Sequence, residues 1–210
     1  LINVVGDIDT SRGAVTLWFK IDTDTTSQLW KCSQSTSAAN NQIQIYYNAT
    51  NDKIVFQQKY DGTAASHTTV AALTPGDDSW NFIAMSWTAE TMIATLNGAT
   101  SDVQEQSGTP FTPGKCMAGR NSAVANLYFD GHINEIGMWD AELDADAHAA
   151  IYNSGKGINL TRDVGNYDNA ADLIGYWKME ENTGTTVVDS SGGGETGTLS
   201  HSSLFTTDTN

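Results

Sequence analysis

Apolar and polar residues alternate along several segments of the chain, which is the pattern of β-strands with one buried face. In "GAVTLWFKID", residues 13–22, one face carries Val15, Leu17, Phe19 and Ile21, and the other carries Thr16, Trp18 and Lys20. The segment therefore predicts a half-buried antiparallel strand.

Two pairs of alternating segments predict hairpins. "NQIQIYY" and "DKIVFQQKY" flank "NATND", whose Asn and Asp residues favour a reversal of the chain. "WNFIAMSWTA", with Ile83, Met85 and Trp87 on one face, is followed by "TMIATLNGAT". Further short strands are predicted in "LWKCSQ", "KCMAGR", "NLYFDGHINEIGMWD", "LIGYWKM" and "TTVVD". Strands at spacings of roughly ten residues indicate an all-β sandwich or jelly roll.

One segment has a helical pattern. In "AELDADAHAAIYNSGKG", Leu143, Ala147 and Ile151 recur every four residues. Asp144 is placed to cap the start of the helix, and Gly155 can end it in the left-handed conformation. The sequence thus predicts a single short helix in a β protein.

We interpret residues 1–210 as one domain in three parts. Residues 1–155 form the main body, the polar segment 156–171 is a connecting loop, and residues 172–210 supply a C-terminal strand and tail that complete the sheet. About 40 residues could not bury a core alone.

Charge and composition exclude some partners. The chain carries 25 acidic and 10 basic residues, a net charge of −15, and it has no basic run. Long-range repulsion therefore argues against nucleic acid as a partner. No stretch of about 18 apolar residues occurs, so no membrane insertion is expected.

Cys32 and Cys116 both lie in predicted strands and form either a cross-strand disulfide or two buried thiols.

Four outward side chains form the predicted ligand-binding site. If the apolar residues of their strands face the core, Trp18, Gln42, Gln44 and Tyr46 point outward, and the two rings could make a stacking platform for a sugar. The alternative is that a loop, a partner subunit or the second sheet covers them. Trp30 is also expected to be exposed.

The sequence shows no arrangement typical of nucleophilic catalysis or of a histidine metal site. His67, His132, His148 and His201 lack metal-ligand spacing, and surface or turn positions are expected for all four.

Several of these segments resemble the laminin-G-like, concanavalin A-type jelly roll in its bacterial and viral form. The resemblance is carried by "VTLWFKIDT", "SWNFIAMSWT", "MAGR" and, most specifically, "LYFDGHINEIGMWDAELDADAHAAIYNSG". "YWKMEENTGTTVVDSSG", residues 176–192, is similar to the segment that usually forms the first strand of this family. Either it completes the same sandwich in permuted order, which we favour, or it begins a second copy.

The resemblance also implies candidate chemistry. A structural Ca²⁺ would be held by Asp189, Glu180, Asn134 and Glu135, although acids in such loops also cap turns. Catalytic relatives carry three acids on one strand, whereas the matching positions here are Glu135, Gly137 and Asp140, and the outer two would point to opposite faces of a regular strand. We therefore expect a protein that is not an enzyme.

The C-terminal third is similar to segments of structural proteins from marine tailed phages. This resemblance implies a place on a virion surface or another extracellular particle, within a homo-oligomer or larger assembly. The predicted partner is a glycan or host-surface receptor, as for a fibre or adhesin. The alternatives are a structural or decoration protein that binds neighbouring virion subunits and, third, a glycan-cleaving enzyme.

Overall fold

The computed structural model describes residues 8–34, 39–69, 71–121 and 127–199, and two large antiparallel sheets dominate these ranges. The seven-stranded sheet runs from β12 (Leu173–Trp177) through β11 (Gly131–Trp139), β1 (Arg12–Ile21), β6 (Asn81–Thr88) and β7 (Thr91–Leu96) to β8 (Ala99–Thr100), with β9 (Gln104–Glu105) also beside β7. The five-stranded sheet has the order β10 (Lys115–Ala118), β2 (Ser27–Ser33), β3 (Gln42–Asn48), β4 (Lys53–Tyr60) and β5 (Thr63–Thr68). A small ribbon joins β13 (Thr186–Val187) to β14 (Gly197–Thr198).

The main core lies between the two large sheets, and the alternating sequence pattern accounts for it. The predicted faces are confirmed, since one buried cluster contains Val15, Leu17, Phe19, Ile21, Ile43, Ile45, Tyr47, Ile83, Met85 and Trp87. Both predicted hairpins are also present, as β3 pairs with β4 and β6 with β7.

Trp30 is buried, contrary to our expectation. The β2–β3 register shifts between Gln28 and Trp30, and the indole of Trp30 stacks on Trp87 in the core with ring centroids 6.0 Å apart. Trp30 lies two positions before Cys32, so regular alternation along β2 places both side chains on the inner face, and both belong to the main core.

A second apolar cluster lies on the other side of the seven-stranded sheet. There α1 (Ala145–Tyr152) packs onto the sheet, and the cluster joins Ala14, Phe82, Ala84 and Trp139 of the sheet to Leu143, Ala147, Ile151, Leu160 and Tyr167. Thr16 is buried as well, and Lys20 is buried beside Trp80 with its ammonium 2.9 Å from Asp78 Oδ1, so β1 is covered on both faces. The prediction of a half-buried strand was wrong because α1 and the loop after it form a third layer.

The predicted helix is confirmed at its start and corrected at its end. The Asp144 carboxylate accepts a hydrogen bond from the Ala147 backbone N–H at 2.8 Å, as expected of an N-cap. The helix ends at Tyr152, and Asn153, with φ 46°, takes the left-handed cap position that we assigned to Gly155. Asn is one of the residues that tolerate this conformation.

Residues 156–171 are anchored although their sequence is polar. The Tyr167 hydroxyl donates to the Leu160 carbonyl at 2.7 Å and accepts from Trp139 Nε1 at 3.1 Å. A 3₁₀ turn, Ala170–Asp172, then leads into β12, which pairs with β11 at the edge of the seven-stranded sheet. None of the helices in the described ranges is long and apolar enough to cross a membrane.

Cys32 and Cys116 form a disulfide between β2 and β10. The two residues are directly opposite each other in the antiparallel register, and both are buried. Of the two alternatives left open by the sequence, the structure shows the disulfide.

Candidate functional site

A cleft of about 560 Å³ lies on the outer face of the seven-stranded sheet. Its floor comes from β1, β11 and β12, and one wall is the segment 155–160 that follows α1. Aromatic rings and polar side chains alternate around it, among them Trp18, Trp80, Asn134, Glu135, Tyr176 and Lys178.

A β-bulge in β11 shapes the floor of the cleft. Thr16 pairs with Gly137, but Trp18 pairs with Asn134, so β11 has an additional residue at this point. Glu135 has a φ of 51°, in the left-handed region. A non-glycine residue in this conformation costs about 1–3 kcal/mol, and such strain is concentrated at functional sites. The bulge directs Asn134 and Glu135 toward the cleft.

Asn134 carries an unsatisfied polar atom. Its side-chain oxygen, Oδ1, is buried and has no hydrogen-bond partner among the described residues. A buried carbonyl left in this way costs about 1–3 kcal/mol relative to one that accepts a hydrogen bond. The atom therefore has unused capacity to accept a hydrogen bond in the cleft.

Glu135 is held by its neighbours on β12. The Tyr176 hydroxyl donates a hydrogen bond to Glu135 Oε2. Burial raises the pKa of Glu135, although the Tyr176 hydrogen bond and the charge of Lys178 oppose this effect. Burial and the nearby Glu135 carboxylate together raise the pKa of Tyr176. The Lys178 ammonium lies 5.5 Å from the centre of the Tyr176 ring, so the cleft presents a carboxylate and a cation side by side.

Two tryptophans border the cleft. Trp18 is half-buried: its indole stacks on Tyr152, with centroids 5.9 Å apart and planes at 24°, and a Cβ on Gly157 would lie 3.6 Å from Trp18 Nε1. Trp80 is also half-buried, with Lys20 Nζ 5.0 Å from its ring centre. Much of the Trp18 surface is thus already used in packing, as the covering-loop alternative predicts.

The structure separates the predicted sugar platform into two parts. Trp18 lies on the outer face of the seven-stranded sheet, whereas Gln42, Gln44 and Tyr46 lie on the outer face of the five-stranded sheet. The core lies between these two faces, so Trp18 and Tyr46 cannot form one stacking surface. Trp18 instead shares the cleft with Asn134 and Glu135, two of the predicted calcium ligands.

Asp189, one of the predicted calcium ligands, uses both carboxylate oxygens in hydrogen bonds within the protein. Its Oδ1 accepts from the backbone N–H groups of Tyr176 and Ser191, and its Oδ2 accepts from the Ser191 hydroxyl and the N–H groups of Gly194 and Glu195, all at 2.8–3.0 Å. Both oxygens are therefore engaged in organising the turn after β13. Within the described ranges, no group of three or more His, Cys, Asp or Glu side chains is arranged to hold a metal ion.

The structure does not bring together the residues at the positions of the three catalytic acids, Glu135, Gly137 and Asp140. Asp140 forms an exposed ion pair with Arg12 at 3.4 Å. At Gly137, an added Cβ would lie 2.5 Å from the Trp139 ring and 2.6 Å from Leu160 Cδ1, so packing leaves no room for a side chain. Glu135 is the one carboxylate among the described residues that line the cleft, whereas glycoside hydrolysis typically uses two.

His148 is buried, contrary to the expectation of a surface position. It lies on α1, with Nε2 2.7 Å from the Ser86 hydroxyl and Nδ1 2.9 Å from the Thr95 hydroxyl. All three residues are buried, so the pair of Ser86 and His148 cannot reach a substrate. His67 and His132 are half-buried, and His201 lies outside the described residues.

Sequence reasoning missed Trp80, Tyr176 and Lys178 as members of the cleft. Tyr176 was noticed only as part of the family-like C-terminal segment. Trp80 immediately precedes β6, and no local pattern places it beside β11. The pairing of β11 with β12 is the long-range contact that brings Tyr176 to Glu135.

The two packed antiparallel sheets define the protein as a jelly-roll β-sandwich, and a family comparison identifies its relatives. Residues 2–147 match the model of the concanavalin A-like lectin/glucanases superfamily, and the chain belongs to this family. A comparison with curated proteins gave no significant match.

Solved structures with the same fold share little sequence with the chain. A SAP-like pentraxin from Limulus polyphemus has a TM-score of 0.58 at 15% identity, covering 93% of this chain and 86% of its own. The CBM40 of Ruminococcus gnavus IT-sialidase, bound to α2,3-sialyllactose, has a TM-score of 0.57 at 15% identity, covering 68% and 83%. Domain 4 of the Geobacillus stearothermophilus arabinanase AbnA, in complex with arabinotriose, has a TM-score of 0.56 at 16% identity, covering 68% and 66%.

Proposed function

We propose that this protein is a non-enzymatic glycan-binding module and that the cleft on the seven-stranded sheet is its saccharide site. The main support for the proposal is Asn134, which lines a concave site bordered by aromatic rings and whose buried Oδ1 has no partner among the described residues. A ligand hydroxyl that donates to this atom would compensate its desolvation.

The other groups in the cleft match the chemistry of a sugar. A pyranose has apolar C–H faces and a rim of hydroxyls. The exposed parts of Trp18 and Trp80 can pack against the C–H faces. Glu135 can accept hydrogen bonds from the sugar hydroxyls, and Lys178 can donate hydrogen bonds to them. Two structures with the same fold are bound to sialyllactose and arabinotriose, which supports a saccharide as the ligand class.

Binding without cleavage is the better-supported activity. The lone carboxylate Glu135 lacks an acidic partner among the described residues of the cleft, and Gly137 has no room for one. An extracellular location, including a virion surface, is part of the same proposal. The Cys32–Cys116 disulfide supports it, because disulfides persist mainly in oxidising compartments.

The experiment is a glycan array with the purified chain, followed by titration calorimetry of the best ligand against Asn134→Ala. We expect binding to fall at least tenfold. Because the substitution removes an unsatisfied buried carbonyl, the melting temperature should stay the same or rise. If Asn134 had only a structural role, Asn134→Ala would lower the melting temperature and leave the affinity for the glycan unchanged.

Asn51→Ala is the matched control, because Asn51 is exposed in the turn between β3 and β4. It should leave both affinity and melting temperature unchanged. If the folded wild-type chain binds no glycan, or if Asn134→Ala binds as tightly as wild type, the cleft is not a saccharide site. A structural role in an assembly would then be the better hypothesis.

A further inference from the structure

The outer face of the five-stranded sheet has a charge opposite to that of the whole protein. The strands β2, β3, β4, β5 and β10 contain four lysines, Lys31, Lys53, Lys59 and Lys115, and no Asp or Glu. All four lysines lie on the outer face, because their neighbours Cys32, Ile54, Tyr60 and Cys116 point into the core. In a chain with a net charge of −15, the Lys, Arg, Asp and Glu residues of these five strands are thus all lysines.

Lys31 lies on β2, the second strand of this sheet. Its relative exposure is 5%, and it makes no ion pair or hydrogen bond with any residue in the part of the chain that the structure describes. A buried cation without an anion nearby is unfavourable, because desolvation is not offset by attraction. Burial, together with the charge of Lys59, lowers the pKa of Lys31 to about 8.

Amide side chains lie beside Lys31 on β3 and continue across the sheet to β4. In the register, Lys31 lies between Met117 and Gln44, and Gln44 is opposite Gln57. The side-chain amides of Gln42 and Gln44 both donate to Gln57 Oε1 at 2.9 Å, so they are held in fixed orientations. Tyr46, Gln57 and Lys59 are half-buried and reach the surface.

From this arrangement we infer that the lysine–glutamine face, defined by Lys31, Gln42, Gln44, Gln57 and Lys59, is a second binding site that takes an acidic saccharide. A carboxylate or sulfate of the saccharide would form an ion pair with the Lys31 ammonium. The amides would pair with neighbouring hydroxyls, as they can donate and accept at once. A long polyanion is disfavoured, because the remaining surface is strongly acidic.

This site is independent of the cleft on the other sheet. Gln42, Gln44 and Tyr46, which the sequence assigned to ligand binding together with Trp18, lie on or beside this face. The inference therefore adds a second ligand class, and it can succeed or fail whether or not the cleft binds a glycan.

The test uses the full chain and a panel of carboxylated and sulfated oligosaccharides, each beside its neutral parent. Examples are tetragalacturonate with its methyl ester, and a sulfated galactan tetrasaccharide with the unsulfated form. We expect the charged members to bind at least tenfold more tightly than the neutral ones. The carboxylated and sulfated arms show which anion is preferred, and binding should weaken as salt is added.

Lys31→Met is the decisive variant, since it removes the charge and keeps the length of the apolar stem. It should weaken binding of the acidic saccharide at least tenfold, with the melting temperature unchanged or raised. Lys59→Gln should weaken it several-fold. Lys156→Gln, which changes a lysine in the cleft, shows whether the acidic saccharide binds there instead. Arg162→Gln, at an exposed position that does not line the cleft, is the control and should bind as wild type.

Three outcomes would overturn the inference. They are no binding of any charged member, equal binding of the charged and neutral members, and wild-type affinity in Lys31→Met. If Lys156→Gln rather than Lys31→Met loses the acidic saccharide, the ligand binds in the cleft. Failure of the cleft proposal is recognised separately, through Asn134→Ala and the glycans found on the array.

Discussion

The imidazole of His148 lies 2.7 Å from the Ser86 hydroxyl and joins α1 to the outer face of the seven-stranded sheet. The Leu143 backbone N–H donates to the same hydroxyl at 3.3 Å, and the Thr95 hydroxyl is 2.9 Å from the other ring nitrogen. The contact is completely enclosed, so protonation of this ring affects the stability of the fold.

Acid should destabilise the protein through His148. Burial lowers the pKa of His148 to about 4, while Asp144 acts in the opposite direction. In the unfolded chain the pKa of this histidine is near its ordinary value of 6.5, so stability is lost as the pH falls from about 6.5 to about 4. The loss is on the order of 3 kcal/mol, measurable by urea unfolding at a series of pH values.

His148→Gln should be less stable at pH 7 and should show a flatter profile through this pH window. His132→Gln serves as the control and should keep the full loss, because His148 is intact. A wild-type free energy of unfolding that stays constant between pH 7 and pH 4 would contradict the assignment.

Reduction of the Cys32–Cys116 disulfide should lower the free energy of unfolding by about 4 kcal/mol, because the bond closes a long loop in the unfolded chain. The two residues are 84 positions apart in the sequence. Urea unfolding with and without reductant measures the effect. The double variant Cys32→Ala/Cys116→Ala should resemble the reduced protein and should not respond to reductant. Equal stability of the oxidised and reduced wild type would show that the bond contributes nothing.

Asp189→Asn should destabilise the chain by about 3 kcal/mol, because a neutral amide cannot accept all the hydrogen bonds that the carboxylate accepts. Burial alone raises the pKa of Asp189, but hydrogen bonds from Ser191, Tyr176 and Glu195 outweigh it and hold the pKa below its usual range. This contribution to stability is therefore present above about pH 4 and is lost in stronger acid.

Thermal unfolding of Asp189→Asn with calcium and with EDTA tests the role of this residue further. Any calcium response of the wild type should persist in the variant, since Asp189 is engaged in the turn. Asp168→Asn, at an exposed position, should match the wild type. A calcium response that disappears only in Asp189→Asn would restore the predicted metal site.

Gly137→Ala should cost about 2 kcal/mol, because the new methyl group overlaps Trp139 and Leu160 in the second apolar cluster. Gly184→Ala is the comparison, because Gly184 has open space around it and a φ of 85°. This variant should lose only about 1 kcal/mol of stability, through backbone strain. If Gly137→Ala is no less stable than Gly184→Ala, the tight packing at Gly137 is not significant.

Alternation along single strands was enough to predict the main core, because each buried face repeats every second residue. It could not show that β1 and β3 belong to different sheets, which depends on pairings between distant segments. For this reason Trp18 and Tyr46 were placed together. The bulge at Glu135 also changes which face a residue of β11 occupies, and nothing in the local sequence marks it.

In the helix and the C-terminal segment, too, local contacts were predictable from the sequence and contacts that depend on the packing of other segments were not. Asp144 was predictable as a cap because its hydrogen bond is local, whereas the choice between Asn153 and Gly155 depends on how the next loop packs. The carboxylate of Asp189 was available as a metal ligand by sequence, and only the fold of residues 190–195 shows that backbone N–H groups use both of its oxygens.

The cleft and the lysine–glutamine face point away from each other, with the sandwich core between them. A short saccharide held at Trp80 therefore cannot touch Lys31, and occupancy of one surface leaves the other open. With both surfaces active, each chain would be bivalent, and it could hold two separate glycan chains together in the manner of a cross-linker. Weak sites would then retain a densely glycosylated surface through avidity, without high affinity at either one.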